Sequence, residues 1–249
     1  MQSPSLNGKV VLVTGGARRV GAVVCRHLHA QGMNLVIHYR SSKDDALALQ
    51  AELQRARPDS VALLQGDLLD YARIAAVAQD AAEAYGRLDA LLNNASSFYP
   101  TPIGQATEQQ WDDLFGTNLK APFFLSQAAA PYLKRSGGCI VNIADVHAER
   151  PLKNYPIYSA AKAGLVMLTK SLARELGPEV RVNAIAPGTI LWPEHELDDT
   201  LKQQILERVP QKRSGEPMDI ARTVLFLIRD AHYISGQVIA VDGGRSVVA

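Results

Sequence analysis

The chain has 249 residues, enough to bury a substantial core, and its 26 basic and 25 acidic residues leave it nearly neutral. Near neutrality without a basic run disfavours nucleic acid or an anionic membrane as a partner. The two cysteines lack metal-ligand spacing, the first residues lack signal-peptide features, and no apolar run reaches bilayer-spanning length. We therefore expect a cytoplasmic protein without a metal site or a membrane segment.

Strand and helix patterns alternate along the chain without a linker. Short β-branched runs predict strands, and longer periodic segments that stop at glycine or proline predict helices. The predicted strands are 9–14, 35–39, 61–65, 90–93, 139–144, 181–185 and 237–241, and the predicted helices are 18–31, 43–57, 71–85, 108–134 and one that ends at 176. This order predicts one α/β domain over residues 1–249: a Rossmann-type, doubly wound parallel sheet of about seven strands with helices on both faces.

A glycine-rich turn, residues 14–21, joins the first predicted strand to the first helix. It does not match the G-x-G-x-x-G expression. Its context nevertheless suits a phosphate, because glycines allow close backbone approach and a helix N-terminus favours negative charge. An ordinary tight turn is the alternative, and we favour phosphate binding.

The second predicted strand ends without the carboxylate that would accept from the ribose of NAD. Arg40, Ser41 and Ser42 stand there instead, and their donors suit the oxygens of a 2′-phosphate. The alternative is a solvated loop. The residues therefore favour NADP over NAD.

Tyr158 and Lys162 are four residues apart in a predicted helix and therefore share one face. A nearby ammonium favours phenolate, so we expect Lys162 to lower the pKa of Tyr158. Asp145 ends a predicted strand, at the edge where open α/β sheets place their sites. Taken alone, the pair favours a half-buried aromatic residue and a solvated lysine, because this spacing is common by chance.

The chain resembles the short-chain dehydrogenase/reductase family from end to end. The matching landmarks are the 14–21 turn, Asp67, Asn93-Asn94-Ala95, Asn118, Tyr158, Lys162, Pro187-Gly188 and Asp242-Gly243-Gly244. It departs from the family pattern at Arg19 and Ser96, where glycine is usual, and at Asp145, where serine is usual. Together with the run 94–100 and the strand end His38-Tyr39, these departures resemble the pteridine reductase branch.

The resemblance implies roles for particular residues. The implied catalytic residues are Asn118, Asp145, Tyr158 and Lys162. The implied cofactor site consists of Gly15, Arg18, Arg19, Val20, Tyr39, Arg40, Ser41, Ser42, Asp67, Leu68, Asn94, Ala95, Ser96, Tyr158, Lys162, Pro187 and Gly188. The implied substrate site consists of Arg19, Ser96, Phe98, Asp145, Tyr158, Leu191 and Trp192, with Phe98 stacked on the pterin and a lid over about residues 189–212. Asp145 also suits a plain role as a turn cap.

The leading hypothesis is an NADPH-dependent oxidoreductase that acts on CH–NH donors. It would reduce a dihydropterin (dihydrobiopterin, dihydromonapterin or dihydrofolate) by hydride transfer to a C=N bond, with protonation through Tyr158 or Asp145. A generic NADPH-dependent carbonyl reductase, which would want serine at position 145, is the first alternative. A non-catalytic NADPH-binding sensor is the second, because fold does not fix function. The resemblance also implies a homotetramer.

Overall fold

A computed structural model describes residues 4–191 and 198–248. Its strands are β1 (Val10–Val13), β2 (Asn34–Tyr39), β3 (Val61–Gln65), β4 (Ala90–Asn93), β5 (Cys139–Ile143), β6 (Arg181–Pro187) and β7 (Val238–Val241). Its helices are α1 (Arg19–Ala30), α2 (Lys43–Ala56), α3 (Ile74–Glu83), α4 (Glu108–Phe115), α5 (Ala121–Ser136), α6 (Pro156–Leu176), α7 (Asp199–Glu207) and α8 (Pro217–Arg229). Short 3₁₀ turns cover Val146–Ala148 and Arg245–Val247.

The seven strands form one parallel sheet in the order β3-β2-β1-β4-β5-β6-β7. Alternate residues of β1 point to opposite faces: Val11 and Val13 join the core under α1, α2 and α8, whereas Val10 and Leu12 join the core under α3, α5 and α6. Strands buried on both faces explain the nearly continuous apolar runs of the sequence. The predicted doubly wound sheet is confirmed.

The predicted helix over residues 108–134 is wrong in one respect, because a π-helical turn, Gly116–Lys120, separates α4 from α5. Asn118 in this turn donates from Nδ2 to the carbonyl oxygen of Leu114 at 2.9 Å, which competes with regular backbone pairing. Gly116 has no room for a side chain, since a Cβ there would lie 2.6 Å from Leu69.

Three other elements differ from their predictions. Helix α3 begins at Ile74 rather than at residue 71. Helices α7 and α8 were not predicted. A signal for α8 was present, because Glu216 and Asp219 form a capping box around Pro217 and apolar residues recur at helical spacing after it. Among the described residues, no helix combines the length and apolarity that a membrane crossing requires.

Candidate active site

A cleft of about 840 Å³ opens at the carboxyl ends of the central strands. The chain leaves β1 toward β2 on one side and continues from β4 on the other, so the strand order reverses between β1 and β4. Such a reversal leaves a crevice in a doubly wound sheet. The structure brings these sequence-predicted residues together in its lining: Gly15, Arg18, Arg19, Val20, Tyr39, Arg40, Ser41, Ser42, Asp67, Leu68, Asn94, Ala95, Ser96, Phe98, Asp145, Tyr158, Gly188 and Leu191.

Four of the predicted site residues are not among the described residues that line the cleft. Asn118, Lys162 and Pro187 lie behind its surface, and Trp192 belongs to residues 192–197, which lie outside the described part of the chain. The predicted lid over about 189–212 is therefore described only up to Leu191 and from residue 198 onward. Three lining residues were not singled out from the sequence: Leu69, Thr117 and Tyr155.

The glycine turn after β1 is held closed by the end of β4. The Thr14 hydroxyl accepts from the backbone N–H groups of Asn94 and Ala95 at 2.9 and 3.0 Å. Asn94 donates from Nδ2 to the carbonyl oxygens of Thr14 and Gly15. Gly15 has φ +59°, and a Cβ there would lie 3.1 Å from the Cα of Ala95. Glycine is therefore required for this close approach at the N-terminal end of α1.

Arg19 adopts the left-handed backbone conformation that favours glycine, with φ +50°. The family pattern has glycine here, so this chain keeps the glycine geometry and accepts backbone strain. The arginine side chain is exposed and lines the cleft. A strained arginine beside a helix N-terminus places a planar donor fork where an anionic or polar ligand would lie.

The end of β2 presents Arg40, Ser41 and Ser42 to the same cleft. The nearest acidic residues in sequence, Asp44 and Asp45, lie in the first turn of α2, and Asp45 pairs with Arg18 at 3.6 Å. This rim therefore offers arginine and hydroxyl donors to a ligand. After the neighbouring strand β3, Asp67 also lines the cleft, and its Oδ1 accepts from the N–H of Leu69 at 2.9 Å.

At the other end of the cleft, Tyr158 and Asp145 form a direct pair. The Tyr158 hydroxyl donates to Oδ2 of Asp145 at 2.7 Å, and the N–H of His147 donates to Oδ1 at 2.8 Å. Asp145 therefore caps the 3₁₀ turn and contacts the tyrosine at the same time. The capping and catalytic interpretations of this residue are compatible in the structure.

Burial controls the ionisation of the Tyr158–Lys162 pair. Only 4% of Tyr158 and 2% of Lys162 are exposed. Burial lowers the pKa of Lys162 from 10.5 to about 8, although the Asp145 charge opposes this shift. The pKa of Tyr158 is raised well above 10, first by burial and then by the neighbouring Asp145. The Tyr158 hydroxyl therefore keeps its proton at neutral pH.

The prediction that Lys162 lowers the pKa of Tyr158 is wrong for this structure. The ammonium donates from Nζ to the carbonyl oxygen of Ile143 at 2.8 Å and lies 5.7 Å from the centroid of the tyrosine ring. The Asp145 carboxylate instead touches the phenol oxygen. The nearer charge is negative, so it favours the protonated phenol.

Asn118 is connected to the cleft through Ser96. Oγ of Ser96 donates to Oδ1 of Asn118 at 2.6 Å, and Nδ2 of Asn118 donates to the carbonyl oxygen of Ser97 at 2.9 Å. Ser96 also lies close enough to Tyr158 to lower its pKa, against the larger opposing effects of burial and Asp145. Asn118 thus holds the loop after β4 and orients the serine hydroxyl beside the tyrosine, a positioning role that local sequence does not reveal.

An aromatic cluster forms one wall of the cleft beside Tyr158. The rings of Phe98 and Tyr155 are stacked, with centroids 4.6 Å apart and an interplanar angle of 15°. Phe98 also meets Tyr158 edge-on at 4.8 Å and remains 47% exposed. Tyr155 was not singled out from the sequence; it is the residue directly before α6, which begins at Pro156.

These features define a class of protein: a parallel α/β oxidoreductase that takes a nicotinamide dinucleotide. The donor set fits such a cofactor, with Arg40 and the two serines at one end, a glycine turn without room for side chains in the middle, and the tyrosine–lysine pair at the other end. Residues 15–246 match the family model described as enoyl-(acyl carrier protein) reductase. The chain belongs to the short-chain dehydrogenase/reductase family.

The chain is similar to individual members of the family along nearly its whole length. It is 39% identical over 240 residues to the 3-oxoacyl-[acyl-carrier-protein] reductase FabG of Staphylococcus aureus, covering 95% of this chain and 97% of the relative. It is 34% identical to pteridine reductase 1 of Leishmania tarentolae, with 96% of each chain covered. A blue fluorescent protein from a metagenomic library, crystallised with NADPH, superposes with a TM-score of 0.91 at 34% identity, covering 97% of this chain and 99% of that one.

Proposed function

We propose that this protein reduces dihydropterins with NADPH. One hydride goes to the carbon of a ring C=N bond and one proton goes to its nitrogen, which yields the tetrahydropterin and NADP⁺. The observation that carries the proposal is the carboxylate of Asp145 held 2.7 Å from the Tyr158 hydroxyl at the end of the cleft.

NADPH is preferred to NADH because of the charge at the end of β2. A 2′-phosphate adds anionic oxygens that Arg40, Ser41 and Ser42 can bind with charged and hydroxyl donors. The similar protein that was crystallised with NADPH supports this choice. When bound, the cofactor supplies the hydride.

The Asp145 carboxylate favours reduction of C=N over C=O on electrostatic grounds. A carbonyl that receives hydride develops negative charge on oxygen, and an adjacent carboxylate repels that charge. An imine nitrogen that takes up a proton develops positive charge, which the same carboxylate stabilises. Asp145 can also accept hydrogen bonds from the N–H groups of a pterin ring.

Tyr158 is the immediate proton donor. Its raised pKa keeps the phenol protonated at neutral pH, and the Asp145 contact fixes the direction of its O–H bond. After the proton leaves, the phenolate is stabilised by the nearby Lys162 charge and by the Ser96 hydroxyl, which can turn from Asn118 toward it. Phe98, backed by Tyr155, offers a flat apolar surface for a planar heteroaromatic ring.

Reduction of a 3-oxoacyl thioester is the second candidate. It is favoured by the 39% identity to the Staphylococcus aureus enzyme, which exceeds the 34% identity to the Leishmania pteridine reductase. Both reactions use hydride and a tyrosine–lysine pair, so most of the shared sequence serves either one. Asp145 is the feature that separates them.

The test follows NADPH consumption by the purified protein with 7,8-dihydropterins, a 3-oxoacyl thioester and simple ketones, with NADH in parallel. We expect turnover with dihydropterins and preference for NADPH. Asp145→Ser is the informative variant, since it should reduce kcat/KM for dihydropterin by at least about tenfold relative to that for the thioester. Turnover of the thioester or ketones with no dihydropterin activity would refute the proposal and support the second candidate. Binding of NADPH without turnover of any substrate would support the sensor hypothesis.

The proposed assembly is a homotetramer in the cytoplasm. Helices α5 and α6 carry exposed apolar side chains, Phe123 and Met167, compatible with helix pairing between subunits. Light scattering of the purified protein measures the mass directly, and a monomer at micromolar concentration would contradict this proposal.

A further inference from the structure

The C-terminal turn packs directly behind the segment that closes one side of the cleft. Asp242 accepts from the N–H groups of Gly244 and Ser246 at 2.9 and 2.6 Å, which shapes the turn before Arg245. The N–H of Gly188 donates to the carbonyl oxygen of Val241 at 3.0 Å. A Cβ on Gly188 would lie 2.7 Å from the Cα of Asp242, so only glycine permits this approach. Gly188 lines the cleft on its other side.

Arg245 links this turn to the cleft segment through its side chain. Its Nη1 donates to Oγ1 of Thr189, the residue between the cleft-lining Gly188 and Ile190. The guanidinium is partly buried, and burial lowers its pKa while the Asp145 and Asp242 charges oppose that shift. A partly buried cation needs compensating charge or hydrogen bonds. Arg245 has the hydrogen bond to Thr189, and the charges of Asp145 and Asp242 attract it from a longer distance.

Asp145 is surrounded by polar and charged groups from three parts of the chain. From α6 it faces the hydroxyl of Tyr158 and the Lys162 ammonium, and from its own turn it accepts from the N–H of His147. The Arg245 charge on the C-terminal turn attracts Asp145 through space, from beyond ion-pair distance. The pKa of Lys162 is lowered to about 8, so this lysine loses its positive charge as the pH rises above neutral, whereas Arg245 keeps its charge.

Three charged side chains act on the Arg245 guanidinium. Asp145 and Asp242 attract the guanidinium, whereas Arg208, which follows α7, repels it. The C-terminal turn therefore contributes a permanent positive charge to the site from a position more than eighty residues away in sequence from Asp145.

We propose that Arg245 is a positioning residue of the active site, which fixes residues 188–190 against the cleft through Thr189 and adds a positive charge behind this segment, in the same cleft as Asp145. This inference deepens the proposed function and rests on it for the role of Asp145.

Three variants separate the two contributions. Arg245→Gln keeps a hydrogen-bond donor and removes the charge, Arg245→Lys keeps the charge and removes the planar fork, and Thr189→Val removes the acceptor while leaving the arginine. The exposed Arg213→Gln is the matched control for the loss of one positive charge.

The first measurement is hydrogen exchange of peptides that cover residues 184–191, which needs neither substrate nor turnover. We expect faster exchange of these amides in Thr189→Val and in Arg245→Gln, with wild-type exchange in Arg213→Gln. Unchanged exchange in both test variants would overturn the anchoring part of the proposal, whatever the protein reduces.

The second measurement compares steady-state kinetics and NADPH affinity on whichever substrate class the wild-type protein reduces. We expect Arg245→Gln to lower kcat by about tenfold, Arg245→Lys to recover most of that loss, and NADPH affinity to stay within about twofold. Equal kcat in Arg245→Gln and wild type, or no recovery with lysine, would overturn the charge part. If the wild-type protein does not reduce dihydropterins, the proposed function is refuted. The Arg245 proposal can still be tested, because the variants would then be compared on the thioester.

Discussion

Replacing Lys162 by methionine should stabilise the fold at neutral pH while it abolishes catalysis. The ammonium is 2% exposed and its pKa is lowered from 10.5 to about 8, so the folded state holds a charge that burial disfavours. Methionine has a similar length and no charge, and it therefore fills the same space without that penalty. The prediction concerns the purified protein without added nucleotide, so that no ligand contacts the lysine.

The size of the expected stability change follows from two opposing free-energy contributions. One pKa unit corresponds to about 1.4 kcal/mol, so the shift of Lys162 represents a penalty of about 3 kcal/mol at pH 7. The hydrogen bond from Nζ to the carbonyl oxygen of Ile143 contributes about 1 kcal/mol in the other direction. The net expectation for Lys162→Met is a gain of about 2 kcal/mol in the free energy of unfolding at pH 7.

The stability gained by Lys162→Met should depend on pH. The pKa of Lys162 is lower in the folded state than in the unfolded chain, so between about pH 8 and 10.5 the unfolded state binds more protons. The free energy of unfolding of the wild-type protein therefore rises with pH over this range. The extra stability of the variant disappears near pH 10.5.

The assay is urea unfolding of wild type and variant at neutral and alkaline pH. Lys170→Met is the matched control, because Lys170 lies on the same helix and is exposed. The control should change the free energy of unfolding by less than about 0.5 kcal/mol at either pH. A variant that is less stable than wild type at pH 7, or a gain that persists at alkaline pH, would refute the reasoning.

Three further predictions concern ligands and strain. Tyr158→Phe should lower kcat by at least about a thousandfold with NADPH affinity within about threefold, as measured by turnover and by nucleotide fluorescence titration; retained turnover would exclude Tyr158 as the proton donor. Arg40→Ala should weaken NADPH binding by about tenfold or more and leave NADH binding nearly unchanged, and an equal loss for both nucleotides would contradict recognition of the 2′-phosphate. Arg19→Gly should raise the free energy of unfolding by about 1 kcal/mol by relieving the left-handed backbone while weakening ligand binding, so a destabilised variant would count against backbone strain at this position.

Much of the fold could be predicted from local patterns. The apolar β-branched runs predicted all seven strands because burial on both faces requires them to be continuous, and glycine or proline ended most helices where the patterns stopped. The break at Gly116–Lys120 could not be predicted, because it depends on Asn118 bonding within its own helix and on Leu69 packing from a distant loop. Helix α8 was recognisable in principle from its capping box and its apolar spacing.

The site was predicted in outline and not in its contacts. Motif positions placed Tyr158 and Asp145 at the same edge of the sheet, and the structure joins them by a hydrogen bond. The spacing of four residues could not predict that the Lys162 ammonium donates to the carbonyl oxygen of Ile143. The pKa of Tyr158 is therefore raised rather than lowered. The position of Tyr155 behind Phe98 could not be predicted, because Tyr155 precedes α6 and its stacking depends on the loop that carries Phe98.

Periodicity, turn residues and motif order are properties of short stretches of chain, and they were enough to predict the sheet, the cofactor-type turn, the family and the departures at Arg19, Ser96 and Asp145. The contact of Asp145 rather than Lys162 with the Tyr158 hydroxyl, and the hydrogen bond by which Arg245 of the C-terminal turn holds Thr189, arise only in the folded protein. Charge interactions depend on distance and burial in space, and residues far apart in sequence acquire both only when the sheet brings their strand ends together.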